Sequence, residues 1–309
     1  MIDIHVRPGP ALSREDFIAT HPPYLIALDG YVGTEPFLHM TPAGPYRNFN
    51  HHEAVDRSCT TATCEQARRA VLLGLYDLFR DQGRRRAQLY VNDCDQDVCL
   101  STWILLNPDR SAEPLVRTLA SIEDLLDMSS GTFPMPHERD LFAEVRWVFD
   151  PYTRARPRLL TLNGEDMRQI IHDVHLRIDQ FAVGRAGRLP LEGEYRRIGG
   201  GEWWMVEITR AQARERMVSA GVRAAVEVTG QHLDRWTYTV WRRSEYIVWF
   251  PVRDILDALS KAEAAAQGIG SWGGADNVGG SPRPHGSVLS PERVEQIVTE
   301  VVARQSARP

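Results

Sequence analysis

The chain is short of cysteine, of long apolar runs and of positive charge, and each shortage removes a class of protein. Four cysteines in 309 residues are too few for the disulfide framework that small secreted domains use in place of a core. They are expected as free thiols in a reducing compartment unless a metal claims them. No apolar run reaches the ~18 to 20 residues of a membrane-spanning helix, and the opening MIDIHVRPGP lacks the basic-then-apolar order of a secretory signal. A soluble, cytoplasmic protein with no membrane partner is therefore expected. The net charge of −5 offers no general field for a phosphate backbone, which argues against nucleic acid as a general partner and leaves only a local basic groove open. No internal repeat is present.

What is there is ordinary globular material, 43% hydrophobic and 25% charged, enough for one large domain or two smaller ones. The first half alternates short apolar runs with helical patterns: YLIAL at 24–28, a helix from about Cys64 to Arg80, and AQLYVN at 87–92. That alternation predicts an α/β fold, a mainly parallel sheet flanked by helices. Further helices fit AEPLVRTLASIEDLLDM, ending before Ser129, Ser130 and Gly131, and the span from Glu138 to Phe149. Two prolines and several arginines in DPYTRARPRL (150–159) interrupt the periodicity, so a domain boundary is expected near 150, dividing the chain into 1–150 and 151–309.

After that boundary, GEDMRQIIHDVHLRIDQFAVG reads as an amphipathic helix with Met167, Ile170, Ile171, Val174 and Ile178 as its apolar stripe. From residue 203 the pattern turns β-rich: WWMVEIT, VRAAVEVT, then WTYTVW and YIVWF, predicting a small sheet with a hairpin. Helices follow at 252–266 and 290–304, the second opening with Ser290 as N-cap and Pro291 in the first turn. The segment 151–309 is thus expected to be a smaller α+β domain.

The strongest chemical signal is NDCDQDVCLS, where Asp93, Asp95 and Asp97 leave the strand LYV. Three carboxylates at alternate positions repel one another unless a cation sits between them, and Mg²⁺ or Mn²⁺ favours such oxygen-rich surroundings. An acidic turn in solvent is the competing reading. In FNHHEAVDR, His51 and His52 follow a short strand and point different ways, so one can bind metal while the other meets a substrate anion. Surface histidine pairs are common, and that reading also stands. Asp29 ends YLIAL before Gly30, at the carboxyl end of an expected parallel strand, where open α/β sheets bind ligands; a plain Asp-Gly turn fits equally. Asp127 is a weaker candidate of the same kind.

Asn50-His51-His52 resembles the Asp-His-His motif of the DHH phosphoesterase superfamily, and Asp93-x-Asp95-x-Asp97-Val98-Cys99-Leu100-Ser101 is similar to its His-x-Asp-x-Asp-Ala-x-x-Ser motif. The resemblance covers roughly residues 24–130. Asn50 stands where the family has aspartate, Asp93 where it has histidine, and the acidic motif follows the histidine pair instead of preceding it. Asp29-Gly30 followed by Asn50-His51-His52 keeps the order of a related metal-dependent phosphohydrolase branch, which has an acid before glycine and then Asp-His-His. The resemblance implies a Mn²⁺- or Mg²⁺-dependent hydrolase cleaving a phosphoester or phosphoanhydride bond of a small, phosphate-bearing substrate. On that reading Asp29, His51, Asp93, Asp95, Asp97 and Asp127 are the pool of metal ligands, and His51 and His52 are the catalytic pair. The other reading is a non-catalytic binding protein for an anion or small molecule, and a homodimer is among the assembly states left open.

The glycine-rich segment GIGSWGGADNVGGSPRPHGS is expected to bind the substrate anion through Trp272, Gly273, Gly274, Gly279, Gly280, Ser281 and Arg283. Glycines let backbone N–H groups approach an anion, and a guanidinium grips one through paired hydrogen bonds; a plain loop is the alternative. Cys59 with Cys64 and Cys94 with Cys99 are spaced too widely for common zinc sites, so inert thiols are expected. His172 and His175 lie three apart on one helix with Asp179 a turn further on, a metal-capable spacing that competes with packing at the edge of the apolar stripe.

Overall fold

Four consecutive apolar residues, Leu25–Leu28, are buried on both faces, as a central parallel strand requires. They belong to a computed structural model that describes residues 2–56, 59–208, 212–232 and 234–306. The chain divides into two compact units, one of Met1–Met128 with Arg139–Leu189, the other of Ser129–Glu138 with Pro190–Pro309.

The first unit contains, in chain order, β1 (Ile2–Val6), α1 (Arg14–Thr20), β2 (Leu25–Leu28), β3 (Phe37–Thr41), β4 (Gly44–Phe49), α2 (Thr63–Leu72), α3 (Leu75–Leu78), β5 (Arg80–Asp81), β6 (Arg84–Arg85), β7 (Ala87–Val91), α4 (Gln96–Leu106), α5 (Pro114–Met128), α6 (Asp140–Ala155) and α7 (Gly164–Ala182). Its sheet runs β1-β7-β2-β4-β3, with every pair parallel except β3 with β4. The expected α/β class is what is found. Helix α4 is buried from Asp97 to Leu105, in keeping with a sequence apolar on every side. The single helix expected from Cys64 to Arg80 is instead α2 and α3, broken where Gly74 takes a left-handed φ of 96° that the other residues would resist.

The boundary expected near 150 lies elsewhere. Helix α6 runs through Pro151 to Ala155 and is followed by a 3₁₀ turn, Arg156–Thr161, so the first unit continues to Leu189. A proline removes the N–H that would bond to the carbonyl four residues back. Here that carbonyl, Trp147 O, accepts a hydrogen bond from Arg177 Nη1 of α7 at 2.5 Å, and the guanidinium also lies over the Trp147 ring. The helix survives its proline because another helix supplies the missing donor.

The second unit contains β8 (Tyr195–Gly199), β9 (Trp204–Ile208), α8 (Ala213–Ser219), β10 (Ala224–His232), β11 (Arg235–Arg242), α9 (Val252–Ala265), β12 (Gly273–Gly274), β13 (Val278–Gly280) and α10 (Pro291–Ser306). The sheet order is β12-β13-β11-β10-β9-β8, antiparallel but for β9 with β10. Thr209, the last residue of the expected strand WWMVEIT, lies outside the described residues. β10 and β11 form a hairpin, whereas YIVWF is not a strand. The place beside β11 is filled by β13, which pairs Val278, Gly279 and Gly280 with Trp241, Val240 and Thr239. Tyr246 and Val248 are exposed, and Phe250 turns into a core built by Trp203, Tyr238, Leu259, Trp272 and Val298. Among the described residues no helix is long and apolar enough to cross a membrane.

Candidate metal centre

Three parallel strands deliver the site from their carboxyl ends, the position where such sheets place ligands. β2 leads into Asp29, β4 runs into Asn50, His51 and His52, and β7 leads through Asp93 and Asp95 to Asp97 in the first turn of α4. Asp29 has a left-handed φ of 50° and its N–H continues the sheet by donating to Phe49 O. Asn50 acts as a clamp. Its Nδ2 donates to Val32 O and Thr34 O and to the Glu53 carboxylate, while its Oδ1 accepts the N–H of His52 at 3.1 Å.

His51 is fully buried and is the node of the cluster. Its Nδ1 lies 3.5 Å from Asp29 Oδ1, 3.7 Å from Asp97 Oδ2 and 3.3 Å from Thr63 Oγ1, and its Nε2 lies 2.7 Å from Asp127 Oδ2. His52 Nε2 is 2.9 Å from Asp29 Oδ1, and Thr63 Oγ1 donates to the same oxygen at 3.3 Å. Ligand atoms of Asp29, His51 and His52 fall within 4.8 Å of one another, as do those of His51, Asp97 and Asp127. These buried Asp and His groups are able to bind a metal ion.

One detail fits a cation better than an ion pair. His51 Nε2 and Asp127 Oδ2 are close enough to bond, yet both are buried and neither makes a hydrogen bond of acceptable direction. Buried polar atoms normally find a partner, and a metal ion satisfies a nitrogen and an oxygen whose lone pairs converge without sharing a proton.

The charges are strained in the same sense. Burial works against the imidazolium of His51, but pairing with the Asp127 carboxylate 2.7 Å away, by hydrogen bonding and charge, and then the charges of Asp29 and Asp97, raise its pKa to about 9. Burial, then the charges of Asp29 and Asp127, push Asp97 up to about 7. Burial and the surrounding carboxylates hold Asp95 well above its ordinary value. Burial also opposes ionisation of Asp29, and the hydrogen bond from His52 with the charges of both histidines overrides it, leaving Asp29 below the usual range.

Of the expected ligands, Asp29, His51, Asp97 and Asp127 come together, and His52, expected in the catalytic pair, joins Asp29 and His51. Asp93 and Asp95 do not join either triad. Asp95 N-caps α4 by accepting the N–H of Val98 at 2.8 Å, and Asp93 accepts the N–H of Cys94. Asp97 also caps a helix, accepting the N–H of Thr63 (2.7 Å) and of Cys64 (2.6 Å) at the start of α2. One participant was not anticipated: Thr63, which carried no signal in the sequence, contacts His51, Asp29 and Asp97.

The substrate-binding set expected in the glycine-rich segment belongs to the second unit and has other work there. Trp272 is buried, stacks on Tyr238 and donates its indole N–H to Glu263, and Ser281 Oγ accepts the N–H of Tyr238. Gly274 pairs with Gly279 and Gly273 with Gly280 in the β12–β13 ladder. A Cβ at Gly279 would lie 2.4 Å from Leu256 Cδ1, and one at Gly280 would lie 2.6 Å from Tyr238 O. These glycines permit close strand packing, and Arg283 stays exposed. Cys64, Cys94 and Cys99 are buried thiols and Cys59 is exposed; among the described residues no cysteine joins a group of three ligand atoms.

His172 and His175 form no such group either. His175 Nε2 lies 2.9 Å from Cys99 O and 3.0 Å from Thr102 Oγ1, and burial lowers its pKa to about 4. The unfolded chain therefore takes up this proton first, near pH 6.5. Stability from the neutral ring is complete above that pH and is lost as pH falls towards 4, by about 3 kcal/mol in all. Denaturant midpoints across pH 4 to 7 check this: His175→Gln, which keeps a donor for Cys99 O, is expected to lack that part of the slope.

The chain matches no protein-family model and no curated protein.

Proposed function

We propose that the first unit is a metal-dependent hydrolase, resembling the DHH phosphoesterases, that cleaves a phosphoester or phosphoanhydride bond of a small substrate. The observation that supports this reading is the convergence of Asp29, His51, His52, Asp97 and Asp127 at the carboxyl ends of parallel strands around a buried, misaligned His51–Asp127 contact. The mixed oxygen and imidazole donors suit Mn²⁺ better than Mg²⁺. A divalent ion there supplies Lewis acidity towards a phosphoryl oxygen and acidifies water. Asp29 and His51 hold the ion, with Asp97 and Asp127 balancing its charge. His52, whose side chain is 39% exposed, is the member that substrate reaches from solvent, and it offsets the negative charge that develops on the substrate.

Chelator-stripped protein assayed with and without Mn²⁺ on phosphomonoesters, phosphodiesters and phosphoanhydrides tests the reading. Turnover is expected only with the ion, and Asp29→Asn is expected to lower it by at least roughly 100-fold, with circular dichroism of the variant establishing that it is folded. Tight small-molecule binding without turnover and without bound metal would select the second reading, a non-catalytic binding protein, which Asn50 favours by putting an amide where the motif it resembles has a carboxylate. Failure to bind Mn²⁺ at all would overturn the metal centre itself.

A further inference from the structure

Tyr90, near the carboxyl end of β7, gathers polar groups that the metal centre does not use. Four side chains crowd its ring: His5 stacks on it at 4.6 Å between centroids, His21 meets it edge-on at 4.8 Å, Tyr31 lies 5.4 Å away, and the Arg7 guanidinium sits 5.0 Å from its centroid. Tyr90 is 4% exposed, yet among the described residues its hydroxyl makes no hydrogen bond. His5 Nε2 is likewise buried without a partner, and Arg7 is exposed and ion-paired with no carboxylate among the described residues. A buried phenol normally finds a partner. Hydroxyl and guanidinium both donate, so what the group lacks is an acceptor.

Its charge points the same way. Burial and then the charge of Arg7 lower the pKa of both His5 and His21, with Asp3 opposing at His5. Like charges are brought together here without being balanced. His21 Nε2 lies 3.2 Å from the Tyr31 hydroxyl, and its Nδ1 lies 2.9 Å from Thr20 Oγ1 and 3.2 Å from Phe17 O, so the ring is fixed in direction. An anion accepts from hydroxyl and guanidinium together and relieves the repulsion.

The position of the group ties it to the metal centre. Tyr31 N–H donates to Leu28 O at 3.1 Å, closing a turn whose central residues are Asp29 and Gly30. The Cα atoms of Asp29 and Tyr31 are therefore at most about 7.6 Å apart. Both groups lie at the carboxyl edge of the parallel sheet, where one ligand can span adjacent strand ends.

We propose that Arg7, Tyr31 and Tyr90, backed by His5 and His21, form a phosphate-binding subsite beside the metal centre, and that the substrate carries a second phosphate group which this subsite holds. The subsite stands on its own geometry, and its assignment to the substrate rests on the hydrolase reading above.

Inorganic phosphate titrated calorimetrically into the full chain stripped of metal tests the subsite. One equivalent is expected to bind, and Tyr90→Phe, which removes only the hydroxyl, and Arg7→Met are each expected to weaken it by roughly tenfold. Circular dichroism establishes that both variants are folded. No phosphate binding by wild type, or binding that neither variant weakens, would overturn the subsite and leave the hydrolase reading standing. The substrate assignment is tested with Mn²⁺ present, where Arg7→Met is expected to raise KM by roughly tenfold for an alkyl diphosphate and to have a smaller effect on phenyl phosphate. An equal effect on both would overturn the assignment. Phosphate binding that the variants weaken, without turnover of either compound, would uphold the subsite and overturn the hydrolase reading together with the assignment.

Discussion

Replacing His51 by alanine is expected to abolish Mn²⁺ uptake and to destabilise the metal-free protein by about 3 to 5 kcal/mol, the range for removing one partner of a buried charge pair. Both effects follow from its place in the cluster. Asp29, Asp97 and Asp127 all lie within 3.7 Å of the ring, and both groups of potential ligand atoms include it. Alanine therefore dismantles the two triads together and leaves three carboxylates facing one another. In the metal-free state the protonated ring is their counter-charge, because its pKa is raised to about 9. That contribution is fully present below pH 6.5 and is lost as pH rises through 9, so the gap between wild type and His51→Ala should narrow at high pH. Urea melts of the stripped proteins at pH 6.5 and 9.5 measure the gap. A variant as stable as wild type at both, or one that still binds Mn²⁺, would show that the acids are held without His51.

A comparable loss is expected in the second unit, which contributes no residue to the candidate metal groups. Glu227 accepts two hydrogen bonds from Arg214, at 2.8 and 2.7 Å, and a third from Trp241 Nε1 at 2.6 Å. Glu227→Ala would strand a largely enclosed guanidinium and a buried indole N–H, since Trp241 is fully buried between β10 and β13. The expected cost is again about 3 to 5 kcal/mol, borne by the second unit. Mn²⁺ uptake by the first unit should be unchanged. Chemical denaturation followed by tryptophan fluorescence, with Mn²⁺ uptake as the control, checks both parts. The double variant Arg214→Met, Glu227→Leu, which removes the charges together, should recover much of the loss. A single variant within about 0.5 kcal/mol of wild type, the range of inconsequential surface changes, would mean that solvent reaches the pair.

Much of this was legible in the amino-acid order. Strands β2 and β7 were readable as apolar runs, α5 and α7 from their periodicity, and the start of α10 from Ser290 and Pro291. Four of the six expected ligands, His51, Asp29, Asp97 and Asp127, and the expected catalytic residue His52 now cluster, and all were visible as acids and histidines at strand and helix ends. What the order concealed depended on partners distant in sequence. Asp93, Asp95 and Asp97 have the same alternate spacing, yet only Asp97 reaches the cluster, because it lies inside α4 with the start of α2 against it. Pro151 reads as a breaker until Arg177 takes over the stranded carbonyl of Trp147. Glycines around 273–280 look alike whether they cradle an anion or let one strand lie close to another, and only Leu256 and Tyr238 decide between the two.

The left-handed backbone at Asp29 separates two demands that usually fall on different residues. At φ 50° a branched side chain is strained, while aspartate, asparagine and glycine are accommodated. The conformation that carries the chain out of β2 therefore restricts the position to a short set of residues, and within that set the negative charge can be discarded while the turn is kept. Asparagine at 29 would thus keep the turn while removing a carboxylate from the cluster. Asn50 shows an amide in such a structural role, holding the adjoining loop by three hydrogen bonds from its Nδ2.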